Sequence, residues 1–303
     1  MRKYGIIDIG TNSMRLLIAT VNGDKIVHRK KYLISTRMGQ GVDQSGIISC
    51  EAMDRNIQAL KELKQISLDN HTEEMIIFGT SALRDAENGK DFVSKIKSET
   101  SLNVDIISGE LEAQYAFLGV VQEYPNENLM IMDIGGGSTE IVATANNNAI
   151  YAKSMDMGAV RLTEKFIRND PPQAVEMELL KGYIDNMISS IELPFIRQQY
   201  GIVGIGGTAT TIVSMLQKLQ SYDASKIHGS KVELEEISDI LQSLTTRTNK
   251  QRKEIIGLNP QRADIIIAGI YIVQRILKYF EKSYFIVSDY DNLEGALVHV
   301  MRK

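Results

Sequence analysis

The feature that most restricts what this chain can fold into is a duplication. "IDIGTNSMRLLIATVNGDKI", which begins at Ile7, lies without a gap over "MDIGGGSTEIVATANNNAIY", which begins at Met132. Asp8 then falls on Asp133, an offset of 125 residues. Asp, Ile, Gly and Ser coincide, and apolar residues follow in step: Leu16 with Ile141, Leu17 with Val142, Ile18 with Ala143. Each copy next reaches a tight turn, Asn22-Gly23 in the first and Asn146-Asn147-Asn148 in the second, and Asn-Gly between alternating apolar runs is a strong hairpin signal. Each half therefore reads as strand, small-residue turn, strand, tight turn, strand. Two glycine-rich turns can look alike by chance, but this match continues through the strands that follow.

The halves go on to repeat more loosely. "MIIFGTSALR" (75–84) and "IVGIGGTATT" (202–211) each end a strand in small residues and then start a helix. "VDIISGELEA" (104–113) and "FIVSDYDNLEGA" (285–296) do the same. Amphipathic helices lie between. One follows Ser49 as N-cap and runs to about residue 68, with Ile57, Leu60 and Leu63 on one face. Others follow Pro171-Pro172 and Pro260, since proline is favourable near a helix start. Alternating strands and helices predict an α/β fold, and the duplication predicts two similar lobes with a cleft between them. At 303 residues the chain exceeds what one core usually serves. The expected division is 1–123 and 124–303, with a hinge in "GVVQEYPNEN" (119–128) and a C-terminal helix from about 292 that packs back on the first lobe.

Composition removes several function classes. A net charge of −4 gives no general attraction for nucleic acid or an anionic membrane. The longest apolar run, 263–277, is interrupted by Gln274 and Arg275 and reads as a buried helix. The N-terminal segment meets Asp8 too early for a signal peptide. One cysteine, Cys50, excludes an intrachain disulfide and fits a reducing cytoplasm. The four histidines are scattered, without zinc-ligand spacing, and there is no G-x-S-x-G nucleophile elbow.

The glycine turns point to phosphate. A turn after a buried strand presents several backbone N–H groups to one side, which favours an anion. The hydroxyls of Thr11, Ser13, Ser138 and Thr139 add donors. A carboxylate such as Asp8 or Asp133 would repel phosphate unless a hard cation lies between them, as Mg2+ does. One D-I-G-x-x-S is a weak signal and fits a structural turn. Two copies together with Gly204-x-Gly206-Gly207-Thr208 resemble the actin, sugar-kinase and chaperone-ATPase superfamily, whose lobes are ribonuclease-H-like.

Within that superfamily the chain resembles the exopolyphosphatase / guanosine pentaphosphate phosphohydrolase (Ppx/GppA) family over nearly its whole length. The stretches that carry the resemblance are "GIIDIGTNSMRLLI", "GTSALRDAENG", "IISGELEAQYAFLGV", "MDIGGGSTEIV", "MDMGAVRLTEKF", "GIGGTATT" and "NPQRADIIIAGI". Longer relatives carry further helical domains, so this is similar to a short, two-domain form. The resemblance implies release of terminal phosphate from inorganic polyphosphate, or of the 5′-γ-phosphate from guanosine pentaphosphate, with Mg2+ (Mn2+ as substitute). It also implies a homodimer. Residue by residue, the family's catalytic glutamate falls on Glu112 in Ser108-Gly109-Glu110-Leu111-Glu112-Ala113, and Arg84 matches a phosphate-contacting arginine. Asp8, Asp133 and Glu140 are the implied metal ligands. Thr11, Asn12, Ser13, Arg15, Gly135, Gly136, Gly137, Ser138, Thr139, Gly206, Gly207 and Thr208 are the implied phosphate contacts. Glu112 near a helix start also fits a simpler role, an acid that stabilises its own helix.

Two departures from the family pattern stand out. Leu111 replaces the first glutamate of a pair, which leaves Glu112 as the one candidate base. Leu293 in Asn292-Leu293-Glu294-Gly295 stands where the family often has arginine, and losing that charge is expected to affect polyphosphate affinity or chain-length preference. Arg29, Lys30 and Lys31, and Arg247, Lys250, Arg252 and Lys253, read first as solvated faces and second as a polyanion track. Two other functions stay open at this point: an ATP-dependent kinase on the same fold, and a non-catalytic regulator that binds polyphosphate or an alarmone.

Overall fold

The computed structural model describes residues 1–125, 127–193 and 200–302. Residue 126, within the expected hinge segment, lies outside the described residues. The chain forms two compact units, Met1–Gly119 with Asn292–Lys303, and Val120–Asp291.

The first unit runs β1 (Arg2–Ile9), β2 (Met14–Asn22), β3 (Lys25–Ile34), α1 (Val42–Ser45), α2 (Cys50–Asp69), β4 (Glu74–Gly79), α3 (Ser81–Asp85), α4 (Gly89–Thr100), β5 (Asp105–Ile106) and α5 (Gly109–Val120). The second runs β6 (Leu129–Ile134), β7 (Thr139–Ala145), β8 (Asn148–Met155), α6 (Ala159–Phe166), α7 (Ala174–Ser189), β9 (Gly201–Ile205), α8 (Gly206–Leu216), α9 (Ala224–Ile227), β10 (Lys231–Glu233), α10 (Leu234–Thr245), α11 (Asn249–Arg252), α12 (Ile266–Tyr279) and β11 (Tyr284–Val287). The last helix, α13 (Asn292–Met301), belongs to the first unit.

The two sheets share one strand order. It is β3-β2-β1-β4-β5 in the first and, read in the same sense, β8-β7-β6-β9-β11-β10 in the second. In each, the first three strands form an antiparallel meander and the next two join parallel to the first. This is the ribonuclease-H-like order of the actin-like superfamily. The additional strand β10, antiparallel to β11, is only three residues long and carries no sequence signal of its own.

Period-two alternation explains why the first strands are apolar almost throughout. On one face of the first sheet, Ile7, Ile9, Met14 and Leu16 pack with Ile57, Leu60 and Leu63 of α2. On the other face, Tyr4, Ile6, Leu17 and Ala19 pack with Leu293, Ala296 and Leu297 of α13. A sheet covered on both sides needs apolar residues at successive positions. Ser49 caps α2 by accepting from the Ala52 N–H, so the helix begins where the sequence places it. In the second unit a large core holds Met130, Met132, Ile134 and Ile141 against α7, α8 and α12. The apolar run expected as a buried helix is α12, and among the described residues no helix is long and apolar enough to cross a membrane.

Candidate active site

The two turns that follow β1 and β6 close with the same backbone hydrogen bond. Gly10 N–H donates to the Ser13 carbonyl at 3.1 Å, and Gly135 N–H donates to the Ser138 carbonyl at 3.0 Å. Each turn brings the second strand back beside the first, so that a fixed residue faces the aspartate. Asp8 is opposite Arg15, and Asp133 is opposite Glu140. The sequence copies match here position for position, yet the facing residue is a base in one unit and an acid in the other.

In the first unit, parallel strands β1, β4 and β5 end side by side. Thr80 N–H donates to the Ile9 carbonyl and Ile107 N–H donates to the Gly79 carbonyl, which lines up the three carboxyl ends. Ligands in open α/β sheets gather outside such ends. Short helix α3 follows β4 and carries Arg84, while α5 follows β5 and carries Glu112 in its first turn. Ser108 caps α5, its hydroxyl accepting from Leu111 N–H. Arg84 Nη1 donates to Glu112 Oε2 at 3.2 Å and to the Ile107 carbonyl at 3.0 Å, and Arg84 Nε is 3.6 Å from Asp85. Glu112 is only 6% exposed. The two residues singled out as catalytic, 28 apart in sequence, are thus in contact.

Asp8 is buried and takes both Arg15 Nη2 at 2.6 Å and Arg15 Nε at 3.1 Å on one carboxylate oxygen. Arg15 Nη2 also donates to Asn292 Oδ1 at 2.5 Å. The resemblance implied that Arg15 contacts phosphate and that Asp8 holds metal. The structure joins them to each other. Asn12 is buried in the same turn, with its side-chain Nδ2 lacking a protein acceptor, so it remains a donor available to an anion. Its backbone carbonyl accepts from Thr36 and Arg37 N–H.

In the second unit Asp133 and Glu140 are both buried, and Ser154 donates to Glu140 at 2.7 Å. Gly206 begins α8 with φ +79°, and a Cβ there would stand 2.3 Å from Asp133 Oδ1. Glycine at this position is therefore required by both the left-handed backbone and the close approach of Asp133. The hydroxyl of Thr139 donates to the Met157 carbonyl, and that of Thr208 to the Ile134 carbonyl at 3.3 Å. Both were expected to donate to phosphate. Almost fully buried, they spend their protons on the fold instead. Among the described residues no group of three or more His, Cys, Asp or Glu could hold a metal ion. Within the second unit Asp133 and Glu140 form a facing pair across β6 and β7.

Two arginines escaped the reading of the sequence. Arg161 on α6 donates from Nε to the Gly137 carbonyl at 2.8 Å, while the N–H groups of Val160 and Arg161 bind the Gly136 carbonyl. The glycine turn is thereby held by its carbonyls to the start of α6. Arg262 lays its guanidinium where a Gly207 side chain would be, with Nη2 only 2.1 Å from that Cβ position. Both lie inside stretches that carry the resemblance, "MDMGAVRLTEKF" and "NPQRADIIIAGI", but an arginine's reach of several ångströms cannot be read from spacing.

Other charged residues have structural duties. Leu293 is fully buried among Ile6, Leu17 and Phe78, so it fills a core and does not mark a missing charge at a surface. Its neighbour Glu294, also fully buried, pairs with Arg29 and Lys31 at 3.0 Å each, which takes both out of the solvated-face reading. Arg252, 4% exposed, is bound to Asp170 and to the carbonyls of Ala263 and Arg247, so it is a buried brace.

Residues 17–303 match the sequence profile of the Ppx/GppA phosphatase family. The chain belongs to the Ppx/GppA phosphatase family. This Ppx/GppA chain is 38% identical to the bifunctional 3-dehydroquinate synthase/phosphatase of Fusobacterium nucleatum, covering 96% of its own length but 46% of that protein. It is 32% identical to exopolyphosphatase 2 of Mycobacterium tuberculosis, covering 97% of each. Among solved structures, the Aquifex aeolicus Ppx/GppA family member is 31% identical with a TM-score of 0.81, covering 99% of this chain and 98% of that one.

Proposed function

We propose that this protein is a phosphoanhydride hydrolase that removes terminal phosphate from inorganic polyphosphate. The observation that carries the reading is the contact of buried Glu112 with Arg84 at the carboxyl ends of β4 and β5, beside the Gly10–Ser13 turn. The M. tuberculosis relative, named an exopolyphosphatase and matched over 97% of its length, supports the same substrate.

Hydrolysis of a phosphoanhydride requires a water held in line with the leaving oxygen, and neutralisation of charge on the transferred phosphoryl. In this reading Glu112 orients the water and accepts its proton as the new P–O bond forms. Arg84, a permanently charged planar donor, binds Glu112 and offers its remaining N–H groups to the phosphoryl oxygens. The Asn12 amide, buried and without a protein acceptor, donates to the phosphate chain. The products are orthophosphate and a polyphosphate shorter by one residue.

Asp133 and Glu140 are the residues that fit a divalent cation. They face each other across β6 and β7, both are buried, and hard oxygen donors are what Mg2+ takes. Bound there, Mg2+ or Mn2+ would neutralise phosphate charge that these carboxylates would otherwise repel. The test is phosphate release from long polyphosphate, short polyphosphate, guanosine pentaphosphate and ATP side by side, with Mg2+ and with chelator. Release from polyphosphate that stops with chelator and returns with Mg2+ supports the proposal. Release from guanosine pentaphosphate alone would reassign the substrate. ATP-dependent transfer to a small acceptor would make the protein a kinase, and tight polyphosphate binding without release would make it a regulator.

A further inference from the structure

The two small-residue turns are held by a backbone carbonyl at the same repeat position. Asn12 and Gly137 are equivalent under the offset of 125 residues. In the second unit Arg161 Nε donates directly to the Gly137 carbonyl at 2.8 Å. In the first unit the Asn12 carbonyl accepts from Thr36 N–H at 3.1 Å and from Arg37 N–H at 2.9 Å, and Gly39 N–H donates to the Thr11 carbonyl at 2.8 Å. The segment that supplies these N–H groups is itself held by an arginine. Arg55, on α2, donates from Nε to the Thr36 carbonyl at 2.5 Å and from Nη2 to the Arg37 carbonyl at 3.2 Å. The Thr36 carbonyl and the Arg37 N–H are the two ends of one peptide group. A guanidinium therefore bears on the equivalent carbonyl in both units, directly from Arg161 and through one intervening peptide from Arg55.

We infer that Arg55 and Arg161 are a matched pair of positioning residues: each orients and polarises the peptide between repeat positions 12 and 13, or 137 and 138, so that its N–H end binds phosphate. This rests on the polyphosphate reading proposed above and adds to it the residues that tune the two turns. A trans peptide is planar and directs its C=O and its N–H to opposite sides. With the carbonyls of Asn12 and Gly137 turned to the groups that hold them, the N–H groups of Ser13 and Ser138 point away from that hold. Linked hydrogen bonds polarise one another, and a charged donor at one end strengthens the donor at the other. Each guanidinium thus raises the attraction of a Ser13 or Ser138 N–H for an anion without touching the anion itself. Arg55 also fixes the backbone of Asn12, whose buried amide lacks a protein acceptor. Because Arg55 is exposed on α2, water screens its charge and its effect is that of a good hydrogen bond, not of a buried ion.

The experiment is calorimetric titration of the full-length protein, with Mg2+ present, by imidodiphosphate, a polyphosphate analogue whose P–N–P bridge resists hydrolysis. Arg55→Gln and Arg161→Gln keep a donor but lose the charge, and each is expected to bind about 3–10-fold more weakly than wild type, the scale of roughly one hydrogen bond. Arg55→Lys keeps the charge and is expected to bind more tightly than Arg55→Gln. Lys61→Gln removes a positive charge from the same helix at a side chain paired with Glu99, and is expected to bind as wild type does. In polyphosphate hydrolysis both arginine-to-glutamine variants should raise KM and leave kcat unchanged, because Glu112 and Arg84 are untouched. Wild-type affinity in either of them, an equal loss in Lys61→Gln, no advantage of lysine over glutamine at 55, or a loss confined to kcat would overturn the inference and leave the polyphosphate reading in place. Failure of wild type to bind imidodiphosphate would overturn that reading, and the inference with it. If Arg161→Gln does not fold, the comparison of Arg55→Gln with Arg55→Lys decides alone, since glutamine and lysine are both good helix formers at an exposed position.

Discussion

Replacing Gly206 with alanine tests whether the position of the Asp133 carboxylate matters, without touching the carboxylate itself. The perturbation has two parts. At φ +79° an alanine adopts a left-handed backbone, which costs about 1–2 kcal/mol. The new Cβ would also stand 2.3 Å from Asp133 Oδ1 and 3.5 Å from Asp133 Cγ. An ordinary contact is about 3.5 Å, so the carboxylate must retreat by roughly 1 Å. A displacement of about 1 Å at a reacting or ion-binding group costs about 10²-fold in rate. The strain predicts a small loss of stability, a fall in Tm of about 2–4 °C per kcal/mol for a unit of this size. The displacement predicts a large loss of turnover together with a raised Mg2+ requirement.

The two parts separate in the assay. Turnover on polyphosphate would be measured across a Mg2+ titration, beside a thermal melt of the same sample. Gly182→Ala serves as the matched control. Gly182 lies within α7 and a Cβ there meets nothing within 4 Å, so alanine should stabilise by about 0.5–1 kcal/mol and leave turnover unchanged. If Gly206→Ala melts lower as expected but turns over within about threefold of wild type, the reasoning fails, because a carboxylate shifted by roughly 1 Å would then be without consequence.

Glu112→Gln keeps the shape and the Arg84 contact but removes the base, so turnover should fall about 10²–10⁴-fold while equilibrium binding of polyphosphate holds or tightens. Asp133→Asn should instead weaken Mg2+ dependence and binding together, and a Glu112→Gln enzyme within about twofold of wild type would leave Glu112 as a helix-start acid only. Glu176 makes a separate prediction about pH. Burial pushes its carboxyl up, but the N–H groups of Gln173, Arg168 and Asn169 and the Asn169 side chain outweigh burial and hold it below the ordinary carboxylate range. A depressed folded-state pKa contributes stability that is present above the unfolded value, near 4.5, and is lost as pH falls through the folded value below it. Urea unfolding of wild type and Glu176→Gln should therefore differ most at neutral pH and converge in acid. A gap that widens in acid would refute the assignment.

How far the sequence reaches depends on what kind of residue is being read. Backbone and apolar positions were legible because they obey short periods. The duplication, the Asn22-Gly23 hairpin, the Ser49 cap and the face formed by Ile57, Leu60 and Leu63 each follow from spacing within a few residues. Arg84 and Glu112 were legible as a pair only through resemblance, since the contact needs two parallel strands to end side by side. Polar head groups were the least legible. Thr139 and Thr208 carry the right hydroxyls in the right turns, yet burial commits them to carbonyls at 157 and 134. Arg15, read as a phosphate contact, is held by Asp8 seven residues away and by Asn292, 277 residues away. Leu293 reads as a lost charge until α13 is seen to bury it against the first sheet.

These displacements share a physical cause, and that cause bears on how the site works. A long side chain goes wherever its charge finds the best partner, and in a buried place an unmatched charge costs far more than an unmatched methylene. The duplicated motif fixed the same backbone twice, so the difference between the units lies in how each aspartate's charge is met. One copy meets it with an ion pair to an arginine, Arg15, seven residues on. The other places a second acid, Glu140, across the ladder from Asp133, with Ser154 donating to it. Arg15 ties Asp8 to Asn292 beside the turn that carries Asn12, and Glu112 and Arg84 meet at the neighbouring strand ends. On the function proposed above, Glu112 activates water while Asp133 and Glu140 would hold the ion, so the two tasks fall to different residues. Chelation should accordingly abolish turnover while leaving the fluorescence and exchange protection of residues around Glu112 unaltered, and loss of both together would contradict this division of labour.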